Sequence, residues 1–319
     1  MNSIVVGRRF PPFRLSVLVL LSKPKSEYLR SKADDPDWFM IGTAVIVESV
    51  SKDILLTAGH CVYADDEKRY GKYEFACCAS VTKSVKGAKD DDTSMAKKEE
   101  HENDNDDVQD GHFYEYEGLF PVEIVTAKDN PDIAVLRRVD GNQFVEDDMI
   151  KLCPPDDIPW LRNARDWEAE VMCFHCPITK FDTDQGYDKL ECCISNWLQV
   201  AAKSNHHFWV EENFHGGSSG GAIVLGNSHT LIGILIHTVS YGEFELKQGL
   251  ESVKLWEELK KPIKSDFQNV EVVSLKGSVA RSQCTSTVAV IPSLVQMMQN
   301  GSDCNLYQWL KSCDRLSKK

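Results

Sequence analysis

The sequence predicts an all-β fold, a sandwich or barrel of short strands, and two observations lead to this prediction. Short apolar runs rich in β-branched residues recur along the chain, each bounded by Gly, Pro, Asn or Asp. Helical periodicity is confined to a few segments, so that strands outnumber helices. The 319 residues suffice for one large or two small domains, at about 150 residues per domain.

Seven apolar runs are the predicted strands. The first, 15–21, follows Arg8 and Arg9 and therefore also resembles the hydrophobic region of a signal peptide. Because Pro11 and Pro12 interrupt its approach and no small-x-small cleavage site follows, we interpret it as a buried strand. The other six runs are 42–47, 53–57, 132–136, 170–174, 221–225 and 231–236.

Helices are predicted near the C-terminus, and a proline-containing segment divides the strands into two halves. The helical spacing of apolar residues is plausible over 250–259, 293–298 and 305–316. We expect a linker at 141–164, where three prolines interrupt the pattern. The predicted organisation is an N-terminal half at 13–140, a C-terminal half at 165–300 and a helical tail at 301–319.

The charge of the chain excludes two classes of partner. There are 49 acidic against 36 basic residues, a formal net charge of −13. Nucleic-acid binding needs a lysine and arginine surplus to meet phosphates, so no nucleic-acid partner is expected. Anionic membranes are disfavoured for the same reason. No segment has the roughly 18 consecutive apolar residues of a membrane-spanning helix, so we expect no membrane partner.

Most of the acidity lies in one segment. Residues 90–110 contain ten carboxylates and only two lysines, with almost nothing apolar to bury. We therefore predict a disordered acidic insertion at about 87–111. The alternation of Asp104, Asp106 and Asp110 also invites a calcium-site interpretation. The glycine and the closing glutamate of an EF-hand loop are missing, which makes the solvated insertion the better one.

Three segments carry residues suited to nucleophilic catalysis. His60 follows an apolar strand, Asp132 begins another, and Ser219 stands among glycines just before a third. A serine hydroxyl needs an imidazole to take its proton, and the imidazole needs a carboxylate to fix its tautomer. Glycines around the serine let the backbone turn so that two N–H groups converge on a developing oxyanion.

The order of the three residues along the chain separates the possible folds. Gly217, Ser219 and Gly221 also fit the G-x-S-x-G pattern of α/β-hydrolases, which need the order Ser, acid, His. No Asp or Glu lies between Ser219 and His237, the last histidine of the chain, so that order cannot be built. The subtilisin order, Asp, His, Ser, lacks a segment resembling that family. All three segments together fill only the order His, Asp, Ser.

The segments 57–61 (TAGHC), 132–136 (DIAVL) and 217–221 (GSSGG) resemble the signature segments of trypsin-like, chymotrypsin-fold serine proteases. The resemblance implies two six-stranded antiparallel Greek-key barrels with the site in the cleft between them. His60 would then be the general base, Asp132 its orienting carboxylate and Ser219 the nucleophile, with an oxyanion hole formed by the N–H groups of Gly217 and Ser219. It further implies a serine endopeptidase that forms an acyl-enzyme, takes protein or peptide substrates and needs no cofactor. The alternative is a catalytically silent protease-fold protein that acts as an interaction module.

The chain departs from secreted trypsins, and its segments 41–44, 132–136 and 231–234 resemble the intracellular Deg/HtrA-like branch more closely. The strand at 41–43 offers no cysteine to pair with Cys61, and His215 stands where trypsins have another cysteine. Ser218 replaces the aspartate that pairs with a freed N-terminus, so we do not interpret the segment 4–7 as an activation site. The chain has too few residues beyond the barrels for a PDZ domain, and none is expected.

The specificity pocket is predicted by analogy with the same family. Its wall would be formed around Ile236, His237 and Thr238, and its floor would lie near Asn213. The floor position is not acidic, which argues against a strong preference for Lys or Arg. His237 is either structural or a reader of an acidic or amide side chain, and the structural role is the better interpretation.

The cysteines indicate a reducing compartment. Eleven is an odd number, so that complete internal pairing is impossible. Cys173 and Cys176 have CxxC spacing, but zinc sites normally need two such pairs, and we interpret them as structural thiols rather than metal ligands. We therefore expect no metal and an intracellular, cytoplasmic location. The oligomeric state is left open.

Overall fold

A computed structural model gives the structure of the chain over part of its length. The described residues are 13–28, 37–62, 69–85, 112–129, 131–158, 171–178, 181, 189–195, 197–198, 200–203, 206–210, 212, 214–226, 228–240, 271–272, 285–299 and 302–312. The predicted acidic insertion and the predicted helix at 250–259 lie outside these residues.

Over its described residues, the N-terminal half contains eight strands and two one-turn α-helices, besides short 3-10 turns. The helices are α1 (Gly59–Val62) and α2 (Arg69–Lys72). The strands are β1 (Val17–Pro24), β2 (Phe39–Ile46), β3 (Ile54–Thr57), β4 (Tyr73–Cys78), β5 (Ser80–Val85), β6 (His112–Glu117), β7 (Phe120–Asp129) and β8 (Asp132–Arg138). The four strands predicted in this half, including the ambiguous run 15–21, are confirmed.

Six of these strands close into a barrel. The order is β1-β2-β3-β8-β7-β4, and every pairing is antiparallel. Closure removes the unpaired edges that an open sheet presents to other chains. The segment 17–22 of β1 is buried at every position, because one face points into the barrel and the other is covered by neighbouring elements. The barrel brings the end of β3 next to the start of β8, since Thr57 pairs with Ala134.

The C-terminal half is built on one large sheet. Its strands are β9 (Val171–His175), β10 (Lys189–Glu191), β11 (Cys193–Ile194), β12 (Val200–Lys203), β13 (His207–Val210), β14 (Ala222–Leu225), β15 (Thr230–Ser240), β16 (Glu271–Val272) and β17 (Thr285–Val290). Eight of them form an antiparallel sheet in the order β11-β9-β14-β15-β17-β13-β12-β16. The remaining strand, β10, joins β5 and β6 in a three-stranded sheet.

The fold-class prediction is confirmed in part. The protein is predominantly β, and one closed six-stranded barrel is present. Over the part of the chain that the structure describes, the second half is an eight-stranded sheet in linear order and not a closed six-stranded barrel. The second barrel, the linker at 141–164 and the domain limits stay predictions.

The C-terminal segment differs from its prediction. The expected helix at 293–298 is a short 3-10 turn followed by β18 (Gln296–Gln299), which pairs with β19 (Ser302–Asn305). Met297 is buried and Met298 exposed, the two-residue alternation of a strand. The tail helix is confirmed as α3 (Leu306–Ser312), within the predicted range 305–316. No helix of the described residues is long and apolar enough to cross a membrane.

The large sheet separates two apolar clusters. One cluster packs Phe174 and Trp209 of the sheet together with barrel residues such as Leu55 and Val135. The other cluster contains Cys173 and residues on the opposite face of the sheet. Because neighbouring residues of a strand point to opposite faces, β9 contributes to both clusters. The two halves therefore share a hydrophobic core, and the strand ends that carry the three signature segments meet beside it.

Candidate active site

His60 and Asp132 form a close pair on the barrel. His60 lies in the one-turn helix α1 after β3, and Asp132 is the first residue of β8, the neighbour of β3. Nδ1 of His60 and Oδ2 of Asp132 are 2.6 Å apart. The backbone N–H of His60 donates to Oδ1 of the same carboxylate at 2.7 Å. The carboxylate thus holds both the ring and the backbone of His60, which fixes the direction of the imidazole.

Gly59 makes this close approach possible. A Cβ at position 59 would lie 2.5 Å from the carbonyl oxygen of Lys128 and 2.6 Å from Oδ1 of Asp132. Both distances are far below van der Waals contact, so that a side chain here would displace the carboxylate. The glycine of the TAGHC segment therefore has a steric role in the His60–Asp132 pair.

The electrostatics of the pair favour the imidazolium form of His60. Partial burial of the ring, the largest single influence, lowers its pKa. The hydrogen bond to Asp132, aided by the neighbouring Cys61 sulfur and the charges of both groups, outweighs burial and raises the pKa of His60 to about 10.

Ser219 lies in a tight turn, 216–221, that leads into β14. Ser218 N–H donates to the His215 carbonyl at 3.1 Å, and Gly221 N–H donates to the Ser218 carbonyl at 2.9 Å. Gly220 N–H donates to the Leu235 carbonyl of β15 at 2.7 Å. Gly217 and Gly220 have φ values of +87° and +89°, which side chains rarely tolerate. The glycines flanking Ser219 are therefore required by the backbone conformation of the turn.

The turn is docked onto strand β2 of the barrel through Thr43. Thr43 N–H donates to the Ser219 carbonyl at 2.8 Å, and Thr43 Oγ1 donates to the Gly217 carbonyl at 2.9 Å. Oγ1 also accepts from the N–H of Cys176 at 3.0 Å. Cys61, which has no disulfide partner, donates its S–H to the Ser219 carbonyl at 3.8 Å. Thr43 is fully buried, and its hydrogen bonds join the barrel to the 216–221 turn and to Cys176 after strand β9.

Replacing Thr43 with valine is expected to lower the free energy of unfolding by about 1–3 kcal/mol. Valine keeps the shape but leaves the buried Gly217 carbonyl and Cys176 N–H without this hydroxyl. Urea denaturation measures the loss. The control is Thr82→Val on β5, a partly exposed threonine with no side-chain hydrogen bond among the described contacts, expected within about 0.5 kcal/mol of wild type. Equal stability of the two variants would contradict the role given to Thr43.

Two backbone N–H groups of the turn are available to a ligand. Among the contacts of the described residues, neither Gly217 N–H nor Ser219 N–H donates a hydrogen bond. Unused donors that lie two residues apart in a glycine-rich turn are the arrangement that binds an oxyanion. These are the two groups to which the resemblance to trypsin-like proteases assigns an oxyanion hole, and this role stays a prediction.

His60 and Ser219 line the same cleft, which has a volume of about 290 Å³. No hydrogen bond joins the Ser219 hydroxyl to His60 among the contacts described, and such bonds are often long before substrate binds. The cleft is lined by His60, Phe214, His215, Gly216, Ser218, Ser219, Leu235, Ile236, His237 and Thr287.

The structure places two of the four residues proposed for the specificity pocket beside the cleft. Ile236 and His237 line it on strand β15, and their role in specificity stays a prediction. Thr238 is the next residue of that strand, and Asn213 lies outside the described residues. Phe214 and Thr287 also line the cleft and were missed, since an aromatic residue before the turn and a threonine in a distant strand carry no catalytic motif.

The described residues offer no metal site. No group of three or more His, Cys, Asp or Glu among them is placed to hold a metal ion. Cys173 and Cys176 are buried and free. Burial is the main cause that raises the pKa of both thiols well above the usual range and keeps them protonated, whereas metal binding requires the thiolate.

Comparison with known proteins gives structural neighbours only. No family model matches the chain, and no curated protein matches it. Three solved structures are similar. The thermostable serine protease AL20 from an extremophilic microorganism is 15 % identical, with a TM-score of 0.38, over 73 % of this chain and 88 % of that one. The HtrA-type protease AlgW with a decapeptide is 14 % identical, with a TM-score of 0.39, over 70 % and 56 %. Deg5 is 13 % identical, with a TM-score of 0.37, over 70 % and 80 %. This chain thus spans little more than half of the length of AlgW.

Proposed function

We propose that the protein is a serine endopeptidase that hydrolyses peptide bonds of protein or peptide substrates. The observation that carries the proposal is the 2.6 Å His60–Asp132 pair facing the cleft that Ser219 also lines. An imidazole held by a carboxylate and facing a serine is the arrangement of nucleophilic acyl transfer.

The geometry supports a two-step mechanism. Nε2 of His60 takes the hydroxyl proton of Ser219 as the oxygen attacks the substrate carbonyl, and Asp132 stabilises the imidazolium that forms. The N–H groups of Gly217 and Ser219 bind the oxyanion of the tetrahedral intermediate. His60 then protonates the leaving amine, which departs from the acyl-enzyme. In the second step His60 deprotonates a water molecule, which attacks the acyl carbon, and His60 then returns the proton to the departing Ser219 oxygen.

Labelling by a fluorophosphonate serine-hydrolase probe tests the proposal. We expect the wild-type protein to be labelled and Ser219→Ala to remain unlabelled. The matched control is Ser228→Ala, a serine on the exposed turn before β15, which should be labelled like wild type. If the folded wild-type protein takes no label, the proposed peptidase function is wrong, and the alternative of a catalytically silent interaction module is favoured.

The activity is expected to rise with pH over an alkaline range. His60 must be neutral to accept the Ser219 proton, and its pKa of about 10 keeps it protonated at neutral pH. The acid limb of kcat/KM should therefore have its midpoint well above pH 6.5, the value of a free imidazole. A pH–rate profile on a peptide substrate measures this midpoint. A midpoint at or below pH 6.5 would show that Asp132 does not stabilise the imidazolium in the free protein.

We further propose that the cleft does not favour basic side chains. The described residues that line it include no carboxylate, whereas a Lys or Arg side chain needs one as a partner. Its side chains are apolar, hydroxyl-bearing or imidazole groups, such as Phe214, Thr287 and His237. Cleavage of a mixed peptide library, read by mass spectrometry, should show no enrichment of Lys or Arg before the cut bond.

A further inference from the structure

Ser218, the residue just before Ser219, has a buried side-chain partner. Its Oγ and Nδ1 of His175 are 2.8 Å apart and share a hydrogen bond. The exposed fractions are 2 % for Ser218 and 7 % for His175. A hydrogen bond between two buried polar groups of this kind is costly to break, because buried groups replace a lost partner with water less readily than exposed groups do.

The position of Ser218 gives the pair its importance. Ser218 lies between Gly217 and Ser219, whose N–H groups are the proposed oxyanion donors. Its own N–H donates to the His215 carbonyl, and its carbonyl accepts from Gly221 N–H. The side chain is therefore a third attachment point of the same residue. Since the peptide unit is planar, fixing Ser218 at three points also fixes the two adjoining peptide planes.

His175 is itself held firmly. It ends strand β9 and pairs with Cys193 of β11. Its ring contacts Phe214 edge-to-face, with centroids 5.0 Å apart and an interplanar angle of 80°. Phe214 lines the cleft. The imidazole of His175 therefore joins the wall of the cleft to the turn that carries the nucleophile.

We propose that His175 is a positioning residue: its hydrogen bond to Ser218 holds the turn so that the N–H groups of Gly217 and Ser219 stay available to an oxyanion. The inference rests on the proposed peptidase function and adds a residue to it. His175 is not among the described residues that line the cleft, and so we give it no contact with the substrate. The resemblance to trypsins would imply an aspartate at position 218 that forms an ion pair with a freed N-terminus. In this chain the neutral hydroxyl of Ser218 instead forms a hydrogen bond with His175 of strand β9.

Two substitutions of His175 separate this role from simple packing. His175→Phe keeps a ring beside Phe214 but removes Nδ1, whereas His175→Asn keeps a polar atom close to the position of Nδ1. We expect His175→Phe to lower kcat about 10- to 100-fold, with KM changed less than about 2-fold, because only transition-state binding is lost. His175→Asn should recover activity to within about 5-fold of wild type. The double variant His175→Phe, Ser218→Ala should lose no more than His175→Phe, since both changes remove one bond.

Active-site titration gives kcat per folded molecule. A His175→Phe protein that is less stable but has an unchanged kcat per titrated site would overturn the positioning role, and so would His175→Asn if it were as impaired as His175→Phe.

Amide hydrogen exchange tests His175 independently of catalysis. We expect the segment 214–221 to exchange at least about 5-fold faster in His175→Phe than in wild type, with segment 17–24 of the barrel unchanged as an internal reference. Equal exchange would overturn the inference whatever the activity. Absence of probe labelling in the wild-type protein would instead overturn the proposed peptidase, and the exchange rates would still decide whether His175 holds the turn.

Discussion

Asp132→Asn is expected to lower kcat by about 10⁴-fold while the protein remains folded. The structure explains why an isosteric amide fails. Since His60 N–H donates to Oδ1, the amide oxygen of asparagine must occupy that position to accept the bond. The NH₂ group then takes the place of Oδ2 and faces Nδ1 of the ring. Nδ1 must accept a hydrogen bond, which leaves the proton on Nε2, and a ring protonated on Nε2 cannot take the Ser219 proton.

Steady-state kinetics on a peptide substrate and the rate of probe labelling both measure this loss. Asp140→Asn serves as the control: Asp140 pairs with Arg138 after strand β8, and this pair lies apart from the cleft. The control is expected within about 2-fold of wild type, because neither Arg138 nor Asp140 lines the cleft. A loss below about 10-fold in Asp132→Asn would mean that Asp132 does not set the tautomer of His60.

Gly220→Ala is expected to cost about 3–5 kcal/mol of unfolding free energy and to abolish probe labelling. The residue has a φ of +89°, so any side chain is strained. A Cβ would also overlap the Thr43 carbonyl oxygen and crowd Oγ1 of Thr57, which donates to that oxygen at 2.7 Å. The turn would have to move away from β2, and Ser219 would move with it.

Gly141→Ala separates the two causes. Gly141 has a similar φ of +84°, but a Cβ there would meet nothing within 4 Å. Its cost should be the backbone strain alone, about 1–2 kcal/mol. Urea denaturation of the two variants gives the difference, which is the steric contribution of the contact with Thr43. Equal losses in the two variants would show that the turn can shift without penalty.

Local patterns made the catalytic segments predictable from sequence. His60, Asp132 and Ser219 each stand next to a strand with a recognisable neighbourhood, and chain order excluded the α/β-hydrolase arrangement. The structure brings His60 and Asp132 together because β3 and β8 are neighbours in the barrel. Seven of the strands were predictable for the same reason, since a short apolar run bounded by turn residues is visible within a few residues.

Long-range contacts were beyond the sequence. Thr43 and Gly217 are 174 residues apart, and nothing in either segment marks the hydrogen bond between them. The hydrogen bond between His175 and Ser218 spans 43 residues and was missed as well. The signal was the serine at position 218, where trypsins have an aspartate, because a different residue there indicates a different partner. Which distant residues become hydrogen-bond partners depends on how the strands are arranged in the folded protein.

The mistaken helix at 293–298 has a different cause. Its apolar residues fit a helical spacing as well as a strand, an ambiguity that short runs always carry. The dipeptide Asn-Gly at 300–301 was the signal to use, because such dipeptides favour two-residue hairpin turns between strands. The observed pairing of β18 with β19 agrees with that signal.

The docking of the Ser219 turn on strand β2 also bears on protein synthesis. The ribosome releases the barrel segments with His60 and Asp132 well before Ser219, and domains generally fold in the order of their synthesis. The Ser219 carbonyl finds its Thr43 partner only after β2 is in place. A nascent chain whose barrel has folded would therefore have an oriented imidazole but no docked Ser219 turn, and the proposed peptidase site would be complete only after the C-terminal half is synthesised.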